Sequence, residues 1–404
     1  MIVYELPQIL VIRFLFTNNK FYIKEEKQMK NTFKKIVSVM LSLAFAVSAM
    51  FALASCGDTK DDVYFLGATG PLTGDAAQYG ISVNNGALLA VKEINAQGGL
   101  NGVNFFFEMK DDEAGATGAQ NGYNALYEAG MQASLGSVTS GSCEAFATLA
   151  NEDGVFAMSP SASEAGVIKN RPTVFRSCFG DPDQAEIAAQ TIAEQYNNVG
   201  VIYDTSDPYS KGLYDAFAAK MTELGKTFTT QSFNKENNKS FDTQVDALKA
   251  CDVIFLPIYY TEAGLIAVAC EAKGCEAALF GCDGLDGIDT QIAGKNVSNK
   301  ITYITPFDVN STDEKVSSFV SAYQAEYGAK PDQFAAGAYD TVWAIYKAMV
   351  KAGVDDVNIS AQDLAQALVA AFTSDDFSYS GVTGNITWNE SGAPTKEPKI
   401  VEVN

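Results

Sequence analysis

From Val63 onward, short runs rich in β-branched and aromatic residues alternate with longer stretches of helical periodicity, and that alternation restricts the chain to folds built from βα units. Strands are predicted over 63–67, 104–109, 133–136, 155–158, 199–203, 253–256 and 278–281, with helices between them over 81–96, 183–196, 209–224 and 261–273. Val253-Ile254-Phe255-Leu256 shows no polar alternation, as expected of a strand covered on both faces. The roughly 350 residues after position 55 exceed what one hydrophobic core organises, so the expected class is α/β with two doubly wound parallel-sheet lobes.

In such sheets ligands sit beyond the carboxyl ends of the strands, where helices begin and backbone N–H groups point outward. Four turns there carry suggestive chemistry: Gly70-Pro71-Leu72-Thr73-Gly74, Thr139-Ser140-Gly141-Ser142, Pro160-Ser161-Ala162-Ser163-Glu164 and Gly281-Cys282-Asp283-Gly284. The glycines of 67–74 lack the Gly-Lys-Ser/Thr of a phosphate loop and the GxGxxG spacing of a dinucleotide site. Asp283, Asp286 and Asp289 recur every third residue without the closing glutamate of a calcium loop. Ser161-x-x-Glu164 matches a capping box, and Ser140-Gly141-Ser142 precedes a helical stretch starting near Glu144. These hydroxyls are either helix caps or, with two helix N-termini, an anion site suited to a small carboxylate; both readings stand at this point.

Composition narrows the chemistry further. The chain has no histidine, which removes Ser-His-Asp and Cys-His nucleophile systems and the imidazole metal ligand. Its net charge is −21, and because residues 1–55 hold seven basic and three acidic side chains, the remainder is near −25. Such a surface repels phosphate backbones, so no nucleic acid partner is expected. Of seven cysteines, Cys143, Cys178, Cys251, Cys270, Cys275 and Cys282 show neither CxxC spacing nor a dense disulfide framework, and no metal or cofactor is expected. Binding without chemistry is the leading class.

The N-terminal region adds an address. Lys30, Lys34 and Lys35 precede an almost purely apolar run over 36–53 and then Leu53-Ala54-Ser55-Cys56-Gly57, an order that resembles a bacterial lipoprotein signal, with Cys56 the lipidated residue. Residues 1–28 carry a separate apolar patch and a charged stretch, and are expected to be an upstream extension before a start at Met29. On this reading 29–55 is the signal peptide and 56–62 a polar linker, and the protein is tethered outside the cytoplasmic membrane.

Several segments together carry a family resemblance. Gly67-Ala68-Thr69-Gly70-Pro71-Leu72-Thr73-Gly74, Ala77-Gln78-Tyr79-Gly80 and Glu93-Ile94-Asn95-Ala96-Gln97-Gly98-Gly99 follow one another as in the branched-chain amino-acid-binding proteins. Met158-Ser159-Pro160-Ser161-Ala162-Ser163, Arg176-Ser177-Cys178-Phe179-Gly180-Asp181, Tyr209-Ser210-Lys211-Gly212, Gly281-Cys282-Asp283-Gly284 and Gly384-Asn385-Ile386-Thr387-Trp388-Asn389 extend the similarity over nearly all of the chain after the signal. The resemblance implies a type I periplasmic-binding fold with a three-crossing hinge near Asp181, Thr305 and Val382. It places lobe 1 at 63–181 with 306–382, and lobe 2 at 182–305 with 383–404.

It also implies roles. Ser140, Ser161, Ala162 and Ser163 fall at the α-carboxylate subsite, Tyr259 and Asp283 at the α-ammonium subsite, and Tyr79, Tyr209 and Phe334 around the ligand side chain, with Phe179 a looser candidate. Asp283 stands where relatives often carry glutamate, and Ser163 where threonine is frequent. The implied function is the substrate-binding component of an ABC importer, a monomer that delivers an amino acid to permease and ATPase subunits. A sensory receptor of the same fold, a binding protein for amide or urea solutes, and a surface enzyme built on a carboxylate pair are the alternatives; the last lacks a histidine, a metal motif and a nucleophile.

Overall fold

The computed structural model describes residues 63–403. A parallel five-stranded sheet in the order β2-β1-β3-β4-β5 is formed by β1 (Val63–Gly70), β2 (Asn104–Asp111), β3 (Ala133–Ser134), β4 (Phe156–Ser159) and β5 (Val174–Arg176). The helices α1 (Ala77–Ala96), α2 (Ala116–Glu128) and α3 (Ser140–Glu152) connect its first four strands.

The chain then enters α4 (Asp181–Gln195), β6 (Val199–Asp204), α5 (Pro208–Glu223), β7 (Phe228–Phe233), α6 (Asp242–Leu248), β8 (Val253–Leu256), α7 (Tyr260–Lys273), β9 (Ala278–Gly281), the short α8 (Ile288–Ile292) and β10 (Ile301–Thr305). It returns through α9 (Glu314–Tyr327), α10 (Gln333–Ala352) and α11 (Ala361–Phe372) to a small antiparallel sheet of β11 (Tyr379–Gly381), β12 (Gly384–Trp388) and β13 (Pro394–Thr395). It ends in β14 (Lys399–Val403), which pairs antiparallel with β10 at the edge of the second sheet, β14-β10-β9-β8-β6-β7. The β12–β13 region lies against the first sheet: Trp388 Nε1 donates to the Arg176 carbonyl at 2.8 Å, and the Gly392 carbonyl accepts from Arg176 N at 3.1 Å.

Alternation within the buried strands explains how apolar runs serve two faces. Tyr64, Leu66 and Ala68 of β1 pack with Tyr79, Val83 and Ala87 of α1, whereas Phe65 packs with Tyr123 and Leu126 of α2 and Phe146 of α3. In the second sheet Ile254 and Leu256 join the α7 side, and Val253 and Phe255 join Leu213 and Phe217 of α5. Both sheets are therefore helix-covered on both faces, as the absence of polar alternation predicts.

Three local expectations are corrected. The helix predicted over 81–96 starts at Ala77, under an N-cap residue, Ala76, whose side chain cannot cap, so the usual start signal is missing. The capping box at Ser161 starts no α-helix: Glu164 caps a single 3₁₀ turn, Ala165–Val167, through its own carboxylate, and the Ser161 hydroxyl donates to the Val138 carbonyl at 2.8 Å. The helix near Glu144 begins earlier, at Ser140.

One glycine positions the site. A Cβ on Gly86 of α1 would lie 2.1 Å from the Ala335 carbonyl oxygen of α10, so only glycine permits these helices to approach this closely. That approach brings the Tyr79 and Phe334 rings to 4.2 Å between centroids.

Candidate functional site

A small cavity between the carboxyl ends of the two sheets is lined by Tyr79, Ser140, Ser161, Tyr209, Tyr259, Asp283 and Phe334, together with Val138, Thr139 and Gly284. Seven of the nine residues expected to touch ligand therefore converge. Ala162 and Ser163 stand behind this wall: Ala162 packs with Cys143, Ala147 and Val167, and the Ser163 carbonyl accepts from Arg176 Nη1 at 2.6 Å and from Asp181 N at 2.9 Å. Phe179 lines a neighbouring cavity with Cys178 and Lys396 that shares Ser161, Asp283 and Phe334 with the first.

On the first-sheet side the wall presents hydrogen-bond donors. Thr139 precedes α3 with extended backbone, and its hydroxyl donates to Ser142 Oγ at 3.1 Å, so no side chain caps the first-turn N–H groups of the helix. Ser140 Oγ accepts from Glu164 N at 3.3 Å, which leaves its own proton available for donation. Ser161 differs, because its proton is committed to Val138; toward the cavity it offers lone pairs. The expectation of two helix N-termini is thereby reduced to one, α3, with Ser140 the donor beside it.

On the second-sheet side stands a buried carboxylate. Asp283 opens a 3₁₀ turn, Asp283–Leu285, and is 5% exposed. Its Oδ1 accepts from the Tyr209 hydroxyl at 2.7 Å, its N–H donates to Gln184 Oε1 at 2.9 Å, and its carbonyl accepts from Gln333 Nε2 at 2.6 Å. Burial pushes its carboxyl up to about 6, against the pull of the hydrogen bond from Tyr209. Tyr209 also accepts from Gly284 N at 2.8 Å, and its ring stacks on Tyr259 at 5.0 Å and 10°.

Tyr79 spans the cleft. From α1 its hydroxyl donates to the Gly284 carbonyl and accepts from Tyr260 N at 3.1 Å, and its ring meets Tyr259 edge-on at 5.5 Å. Tyr79, Tyr259 and Phe334 thus form an apolar corner beside the polar groups. Outside Tyr259 and Thr139 opens a larger cavity of about 520 Å³ whose rim carries Asp75, Glu113, Asp204, Asp207 and Glu262 with Lys235 and Lys239. Lys239 pairs with Asp75 across the mouth at 2.8 Å.

Sequence reasoning singled out the turn that holds Thr139 without giving Thr139 a role, and missed Gln184 and Gln333. Thr139 is an ordinary helix-preceding threonine, and the two glutamines act through partners 99 and 50 residues away, so no local pattern marks them. No group of three or more metal-ligating side chains occurs among the described residues.

Two helix-covered parallel sheets, with polar and aromatic side chains from both meeting in one cavity at their carboxyl ends, define a two-lobed cleft-binding protein. Residues 64–404 match the periplasmic binding protein family, and the chain belongs to it. It is 29% identical over 337 residues to the Leu/Ile/Val-binding protein BraC3 of Rhizobium johnstonii, covering 82% of this chain and 89% of that one. It is 27% identical over 358 residues to the leucine-, isoleucine-, valine-, threonine- and alanine-binding protein of Pseudomonas aeruginosa, covering 87% and 92%. Among solved structures, the branched-chain amino acid transporter substrate-binding protein LivJ of Streptococcus pneumoniae, in complex with isoleucine, superposes with a TM-score of 0.76 at 28% identity, covering 85% of this chain and 96% of that one. A benzoate-bound solute-binding protein of R. palustris superposes with a TM-score of 0.74 at 19% identity, which shows the fold alone.

Proposed function

We propose that the chain is the extracytoplasmic substrate-binding component of an ABC importer and that it captures an amino acid with a branched or other apolar side chain. One observation carries this reading: Ser140 and the open N-terminus of α3 line the same small cavity as the buried Asp283 carboxylate of the other sheet, so a donor set for an anion and an acceptor for a cation meet in one site, as a zwitterion requires. The corner of Tyr79, Tyr259 and Phe334 favours an apolar side chain. The two sheets are the two lobes. A ligand held first by its carboxylate on the α3 side gains its ammonium partner when the second lobe closes, and this difference in affinity drives the hinge. Permease and ATPase subunits are the partners that follow from the family, and Cys56, outside the described residues, is the proposed lipid anchor.

Leucine, isoleucine and valine are expected to raise the melting temperature in a thermal-shift screen of the common amino acids, because a ligand of the native state adds stability by mass action. A flat response to all of them refutes the reading. Radiolabelled palmitate is expected to mark the wild type and to be absent from Cys56→Ala; equal labelling of both refutes the anchor.

A further inference from the structure

Far from the cavity, where α7 ends, the backbone itself brings two cysteines together. The helix runs from Tyr259 in the cavity wall toward the amino ends of the second sheet's strands, about 20 Å at the rise of an α-helix. It stops in a Schellman motif: Gly274 takes the left-handed conformation at φ 61°, its N–H donates to the Glu271 carbonyl at 3.1 Å, and the Cys275 N–H donates to the Cys270 carbonyl at 2.8 Å. In this motif the side chains at the two ends of the outer hydrogen bond pack on each other, and here both are cysteines.

That hydrogen bond bounds their separation. From the Cα of Cys270 through its carbonyl oxygen to the nitrogen and Cα of Cys275, standard bond lengths and the 2.8 Å contact allow at most about 6.7 Å. Disulfide-bonded Cα atoms lie about 4.4–6.8 Å apart. Cys270 is fully buried and Cys275 is 3% exposed, and both side chains belong to one apolar cluster. Burial, and after it the contact with the Cys275 thiol, push the Cys270 thiol above its ordinary range. Cys251, half-buried just past α6, packs against the same cluster.

We propose that Cys270 and Cys275 are a modification site: outside the cytoplasmic membrane they close into a disulfide by exchange with a small-molecule or protein disulfide, and Cys251 stays a thiol. The inference depends on the family's extracytoplasmic place, where thiols meet oxidants rather than the reducing pool of the cytoplasm, and not on the ligand. One cysteine, as thiolate, attacks a sulfur of the oxidant and expels one of its halves; the second attacks the mixed disulfide and expels the other. The two protein thiols give up two electrons and two protons, and the oxidant's S–S bond is reduced to two thiols that take them up. Only five residues separate the two cysteines, so the pair meets as the last turn of α7 forms. The enclosed loop is short, and the link adds little stability through the unfolded chain. Its effect is to withdraw two thiols from stepwise oxidation to sulfinic and sulfonic acids.

The test is peptide mapping of the full chain, refolded from the reduced state in a buffer of reduced and oxidised glutathione at neutral pH, alkylated with iodoacetamide and digested with trypsin without reduction. Lys273 lies between the two cysteines, so cleavage there leaves them on different peptides, 250–273 and 274–295. The expected result is one joined species, lighter than its two peptides by two hydrogen atoms, whose fragmentation shows the alkyl groups on Cys251 and Cys282. The joined species is expected to persist in Cys251→Ser and to disappear in Cys270→Ser. Separate wild-type peptides with all four cysteines alkylated overturn the proposal whether or not the variants fold. So does a joined species whose fragmentation shows the alkyl group on Cys270, or one that survives in Cys270→Ser.

Discussion

Tyr209 and Asp283, 74 residues apart in sequence, share a buried 2.7 Å hydrogen bond that fixes the carboxylate in the cleft. Tyr209 reaches it from the first turn of α5, and Asp283 sits just past the end of β9. The tyrosine contributes no charge, so the carboxylate keeps a formal demand for a cation; a hydroxyl donor orients it without neutralising it.

Removing that carboxylate exposes its role. Asp283→Asn keeps the shape of the side chain but leaves a bound ammonium without its anionic partner, and is expected to weaken leucine binding by roughly 2–5 kcal/mol. Calorimetry on the variant checks this; affinity within threefold of wild type, on the order of 0.6 kcal/mol, contradicts it.

Ser140→Ala removes one hydroxyl donor and leaves the α3 N–H groups in place, so the expected loss is smaller, about 1–3 kcal/mol. Ser161→Ala is expected to cost leucine less still at the carboxylate, because the Ser161 proton is held by Val138. A larger loss in Ser161→Ala than in Ser140→Ala reverses the assignment of the donor.

The pH dependence follows from Asp283, whose carboxyl lies at about 6 in the fold against an ordinary value of 3.8. A raised carboxyl means that the ligand-free fold binds this proton more tightly than the unfolded chain. The group's contribution to stability is therefore full below the ordinary value and is lost as pH rises through about 6. Ligand binding has the opposite slope, because the ammonium needs the ionised form. The increase in Tm produced by leucine is expected to be larger at pH 7 than at pH 5, and thermal shifts at the two values decide it; a larger increase at pH 5 contradicts the assignment.

Gly86→Ala places a methyl group against the Ala335 carbonyl. Overpacking of about 1–3 kcal/mol outweighs the gain of about 1 kcal/mol in helix propensity, so a lower denaturant midpoint is expected. Because α10 also carries Phe334, leucine affinity is expected to fall with it.

The buried strands were legible because a strand covered on both faces is a continuous apolar run, as in Val253–Leu256. The edge strand β7 has the polar, half-exposed sequence Phe-Thr-Thr-Gln-Ser-Phe, and β5 is three residues long, so neither stands out. The antiparallel β14 depends on its pairing with β10, nearly a hundred residues earlier, which no local pattern reveals. The site was legible where a residue lies in a strand-to-helix turn, as Ser140 and Asp283 do. It was not where a side chain works through a distant partner, as Gln184 and Gln333 do, or where a proton is already committed, as in Ser161.

The claim that the cleft grips both ends of an amino acid is tested most directly by comparing three ligands of one skeleton by calorimetry: L-leucine, 4-methyl-2-oxopentanoate, which keeps the carboxylate and lacks the ammonium, and 3-methylbutylamine, which keeps the ammonium and lacks the carboxylate. The account predicts that leucine binds at least about a hundredfold more tightly than either, each missing charge costing on the order of 3 kcal/mol. Binding of either single-charge analogue as tightly as leucine would contradict it.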